Sequence, residues 1–154
     1  KTFAVSTIRR LPDAWGHMDR SEPTELIICA RVDGPPLRFR GRLLVRHART
    51  LRSGAELFAE LWLRNAGGYT LAFSAWHRGG WQANALKVRS LAEAVSALED
   101  ICAAQRDATP PDLFDPGDMA DQLRRCARYA EEAEAFQHLM GRALADWTAL
   151  PNAA

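Results

Sequence analysis

Arg38, Arg40, Arg42 and Arg46 share one parity within LRFRGRLLVRHARTLR, residues 37–52, a run with six arginines, one histidine and no acid. Side chains on a β-strand alternate between faces, so the four guanidinium groups are expected to project from one side of a sheet. A guanidinium binds phosphate through a planar fork of donors and also stacks on flat rings. Trp62 and Trp76 fall on the same face by the hairpin register read below, and an indole stacks an unpaired base for about 1–3 kcal/mol. Together these six residues are a candidate surface for single-stranded nucleic acid. The competing reading is a covered or solvated sheet face. In that reading the arginines pair with Glu131, Glu132 and Glu134 or guard a sheet edge, and the tryptophans are core.

A second candidate surface lies near the C-terminus. Met119, Cys126, Ala133, Met140 and Trp147 recur every seven residues, with Leu123, Ala130, Gln137 and Leu144 in the companion position. Such a seam suits helix pairing. Met119, Leu123, Met140, Leu144 and Trp147 would supply apolar contact to a second copy or another protein, unless the seam packs within its own domain. Arg124, Arg125 and Arg128 alternate with Asp121, Glu131, Glu132 and Glu134, giving pairs at helical spacing on the exposed side.

Catalytic chemistry has no local signature. The chain lacks GxGxxG, GxxxxGKS/T, HExxH and GxSxG. His17, His47, His77 and His138 are scattered, and DLFDPGDMAD lacks the oxygen spacing and closing glutamate of a calcium loop. Cys29, Cys102 and Cys126 are odd in number and far apart, so they read as small buried hydrophobes. No catalytic residue, metal or cofactor is assigned. The expectation is a non-enzymatic binding or regulatory protein.

The elements that position these residues follow from periodicity. Residues 2–10 read as an edge strand and 11–24 as a loop holding Trp15. Strand character resumes at Glu25, DGPP at 33–36 makes a turn, and 37–52 follows as a strand. ELFAELWLRNAGGYTLAFSAW is a hairpin. A three-residue loop Ala66-Gly67-Gly68 would set Leu63 against Leu71, Leu61 against Phe73 and Ala59 against Ala75, with Trp62, Glu60 and Phe58 on the other face. Loop HRGG at 77–80 would set Trp76 opposite Trp81 on the last strand. SLAE from Ser90 is a capping box opening a helix to about 105. Asp115-Pro116 signals a second helix to about 147.

The fold class is therefore α+β in one domain, 1–154. An antiparallel, meander-like sheet of five or six strands over residues 2–88 precedes two helices, 90–105 and 116–147. The strands-then-helix order over residues 25–105 resembles, in topology alone, the repeat unit of PUR-type single-strand binders. With 154 residues and 47% apolar content the chain can build a substantial core. Its net charge of +1 conceals a basic first half and an acidic second half. No apolar run is long enough to span a bilayer, and KTFAVSTIRRLPD does not read as a secretory signal. A cytoplasmic dimer without membrane contact is expected.

Overall fold

The computed structural model describes residues 25–108 and 118–151. The strand expected over 2–10, the loop with Trp15 and the Asp115-Pro116 helix start lie outside these residues. Five strands run in order: β1 (Glu25–Cys29), β2 (Leu37–Thr50), β3 (Glu56–Arg64), β4 (Tyr69–His77) and β5 (Gly80–Val88). Each pairs antiparallel with its neighbours in sequence, giving the meander order β1-β2-β3-β4-β5. Two helices follow, α1 (Leu91–Arg106) and α2 (Met119–Thr148). The α+β class, the meander and the long second helix are as the periodicity predicts. Among the described residues no helix is long and apolar enough to cross a membrane.

The turns show which residues decide register. At the β4–β5 hairpin Trp76 does stand opposite Trp81, but His77 also pairs with Gly80. The loop is only Arg78 and Gly79, whose φ values of 48° and 79° have the double positive sign of the tight hairpin turn that matches strand twist. At the β3–β4 hairpin the loop is of the expected length but sits one residue earlier. Arg64 N donates to Gly68 O and Gly67 N to Arg64 O, each at 3.0 Å, so the loop is Asn65-Ala66-Gly67. Leu63 pairs with Tyr69, Leu61 with Leu71 and Ala59 with Phe73. Sliding the loop by one residue moves every partner by two, which changes the pairs yet preserves the faces.

Ser90 caps α1 by accepting from Glu93 N at 3.1 Å, while Glu93 accepts from Arg89 N at 2.7 Å. Asp118 caps α2 by accepting from Ala120 N at 3.1 Å. His47 on β2 meets Asp146 in the last turns of α2, with Nε2 2.6 Å from Oδ2. That contact ties the helix to the sheet.

Both faces of the sheet are apolar. On the helix side Leu57, Ala59, Leu61, Leu71, Phe73 and Val88 pack against Ala94 and Leu98 of α1 and Phe136, Met140 and Trp147 of α2. On the other side Ile27, Cys29, Phe39, Phe58, Trp62, Ala72 and Ala85 form a second cluster. No helix lies over that cluster among the described residues. The sheet closes on it by curling: β1 contacts β5, and Val32 N donates to Asn84 Oδ1 at 3.2 Å. In a flat sheet those outer strands would stand about 19 Å apart, four strand spacings.

Candidate functional site

One inserted residue divides the arginine row. Leu43 pairs with Trp62, but Val45 pairs with Leu61, so Leu44 is the extra residue of a β-bulge. Before the bulge, Arg42 pairs with Leu63 and shares the helix-side face with Arg38 and Arg40. After it, Arg46 pairs with Glu60 on the opposite face. The expected four-residue row is thus three residues on one side and one on the other. Arg38, Arg40 and Arg42 remain exposed. Arg46 is committed to a carboxylate pair, with Nε 3.2 Å from Glu60 Oε1 and Nη2 on Glu56.

Neither indole joins those arginines. Trp62 is 3% exposed in the curled cluster, on the face opposite Arg38, Arg40 and Arg42. Its Nε1 donates to Glu60 Oε2 at 2.9 Å, and its ring lies edge-on to Phe39, centroids 6.2 Å apart. Glu60 is buried, yet each of its oxygens has a donor: Trp62 on one, Arg46 on the other. Burial of a charge is tolerable on those terms. Trp76 lies edge-on to Tyr129 of α2 at 4.9 Å and to Trp81 at 5.3 Å, and Trp81 stacks on Phe136 at 5.0 Å. This aromatic row fastens the β4–β5 hairpin to α2. The stacking platform expected from parity is not assembled.

The heptad seam on α2 also divides. The buried residues are Gln122 and then Glu132, Ala135, Phe136, Leu139, Met140, Ala143 and Trp147, the last seven following the 3.6-residue period of a helix lying on a sheet. Met140 and Trp147, both fully buried, belong to this internal stripe and are withdrawn from any partner surface. Leu144 is half-buried against the same core. Gln137 turns to α1, where its Nε2 donates to Cys102 O at 3.1 Å. Only Met119, 68% exposed, and Leu123, 60% exposed, stand in solvent as the seam requires. Gln105 near the end of α1 donates through Nε2 to Tyr129 Oη at 3.3 Å, and Gln122, two turns earlier on α2, is also buried.

Two arrangements lie outside the sequence reading. Trp81 Nε1 donates to Glu132 at 2.9 Å, and Glu132 also accepts from Arg128 Nε at 3.3 Å. Beside them, Arg49 at the end of β2 and Arg52 in the β2–β3 turn line a groove with Arg128 and Glu131 of α2. Both join residues about 50 to 80 positions apart, and no local pattern marks them. Comparison of the chain with protein-family models, curated proteins and solved structures finds no match.

Proposed function

We propose that the chain acts by binding protein rather than by catalysis, and that the N-terminal half of α2 first engages a second copy of itself. The carrying observation is the exposure of Met119 and Leu123, one helical turn apart in the first turns of α2, on either side of the buried Gln122. Large apolar side chains so placed offer burial of about 1.5–3 kcal/mol each when covered. Ala127 and Ala130, both exposed, allow a second helix to approach closely. Charge supplies direction: Arg124 precedes that point and Glu131 and Glu134 follow it. Antiparallel α2 helices crossing near Ala127 and Ala130 set Arg124 of one copy beside the Glu131–Glu134 segment of the other, in both halves of a two-fold interface. The single-stranded nucleic-acid reading loses Trp62 and Trp76, and it keeps only phosphate contact by Arg38, Arg40 and Arg42.

The test is light scattering on the intact chain and on exchanged-charge variants, since removing α2 would strip Phe136, Met140 and Trp147 from the core. Leu123→Glu and Arg124→Glu are each expected to shift the equilibrium toward monomer. Adding Glu131→Arg and Glu134→Arg to Arg124→Glu is expected to restore association. A chain that is monomeric throughout the micromolar range, or variants that all remain dimeric, would remove this interface.

A further inference from the structure

We propose that the groove between the β2–β3 turn and α2 is a binding site for a phosphate dianion, either inorganic phosphate or a phosphomonoester. The groove is open to solvent on one side and holds about 490 Å³, and its walls include Arg49, Thr50, Arg52, Ser53, Arg128 and Glu131. That volume lies within the range of small-molecule sites.

Both walls are braced before any ligand arrives. Leu51 is buried, and its N–H donates to Ala55 O at 2.8 Å while Gly54 N donates to Leu51 O at 2.9 Å. Gly54 takes φ +84°, which lets the strands reverse over three residues. Across the groove, Glu132 is 8% exposed and accepts from Trp81 Nε1 on one oxygen and Arg128 Nε on the other. That fixed carboxylate holds the Arg128 guanidinium by one edge and leaves its remaining donors for a ligand.

The charge balance selects the ligand class. Three guanidinium groups face two carboxylates, and Glu132 is already engaged by Trp81 and Arg128. Glu131 stands 3.8 Å from Arg52, whose side chain is 93% exposed, a pairing that contributes little. Among the described residues Arg49 forms no ion pair. A carboxylate, with two oxygens, spans at most two of the three guanidinium groups. A dianion with tetrahedrally placed oxygens offers an acceptor to each of Arg49, Arg52 and Arg128, which line the same groove, and the hydroxyls of Thr50 and Ser53 supply further donors.

Trp81 is the built-in reporter, because its indole N–H shares Glu132 with Arg128. The experiment is a titration of the ¹⁵N-labelled intact chain with inorganic phosphate, and separately with phenyl phosphate, at constant ionic strength. Saturable shifts are expected in the Trp81 indole resonance and in the Arg52 and Ser53 amides. Arg49→Gln is expected to weaken binding about tenfold, the effect of one lost charge-assisted contact. Arg49 is exposed at a strand end, so unshifted distant resonances will establish that the fold persists. Arg128→Gln gives a second, independent loss. Saturation by phosphate alone assigns the free ion, and tighter saturation by phenyl phosphate assigns a monoester. Shifts that stay linear, or that are unchanged by Arg49→Gln, overturn the site.

Discussion

Trp81 Nε1 lies 2.9 Å from Glu132 Oε2, joining the start of β5 to the middle of α2 across 51 residues of sequence. The bond sits beside the stacked pair Trp81 and Phe136 and the edge-on pair Trp76 and Tyr129. Apolar contact brings hairpin and helix together there, and the carboxylate sets the angle at which they meet.

Replacing Glu132 separates the two contributions. Glu132→Ala leaves a part-buried indole donor without a partner, at a cost of about 1–3 kcal/mol. Glu132→Gln keeps an acceptor for Trp81 and loses only the charge opposite an exposed Arg128, at about 1 kcal/mol or less. Urea unfolding of both variants measures the difference. Equal losses would mean that the indole bond contributes nothing.

How much of this arrangement the sequence disclosed depends on the range of each signal. Alternation is local, so the strands, the faces of β3 and β4, and the Trp76–Trp81 register were legible. The bulge was not: Leu43, Leu44 and Val45 are all apolar, and a run without alternation does not say which residue is extra. That one residue reverses Arg46 and separates it from Arg38, Arg40 and Arg42. On α2 a strict seven-residue reading chose Met119, Leu123 and Gln137 alongside Met140 and Trp147. The sheet selects instead by the 3.6 period, which keeps Met140 and Trp147 and replaces the others with Phe136, Leu139 and Ala143. The curl that buries Trp62 depends on β1 meeting β5, a contact between segments too far apart for any periodicity to register.

At Gly41 the β3 backbone leaves no room for a side chain on β2. A Cβ there would lie 2.2 Å from Leu63 O, a clash with backbone that no side-chain rotation relieves. Gly41→Ala is expected to destabilise the chain by on the order of 3 kcal/mol. Gly79→Ala, at φ +79° but in open space, should cost only about 1–2 kcal/mol of left-handed strain. Thermal unfolding of the two variants orders them. A harmless Gly41→Ala would contradict the β2–β3 register.

An oligonucleotide distinguishes phosphate contact from base stacking. Arg38, Arg40 and Arg42 are exposed together, whereas Trp62 is enclosed and Trp76 is packed on Tyr129. Binding of single-stranded DNA is therefore expected to be salt-sensitive and to leave tryptophan fluorescence unchanged. Loss of one arginine should reduce the log–log salt slope by about 0.7. Quenching on binding, abolished by Trp76→Leu, would restore the stacking surface.

The thiols give the clearest pH dependence. Burial pushes the Cys29 thiol up to about 12, and the nearby Glu60 carboxylate adds to the shift. Burial likewise raises Cys102, with Arg106 opposing and Glu99 reinforcing it. Cys126 is only half-buried. The native chain therefore holds Cys29 as the neutral thiol, while the unfolded chain ionises it near the ordinary value of 9.0. The unfolded state releases its proton first, so the stability tied to the neutral thiol is complete below pH 9 and falls as pH rises toward 12. A disulfide-exchange reagent added to the native chain at mildly alkaline pH should modify Cys126 quickly and Cys29 only on unfolding. Cys29→Ala should flatten the alkaline decline measured by urea unfolding. Rapid modification of Cys29 in the native chain would place it outside the cluster formed by Ile27, Phe39 and Trp62.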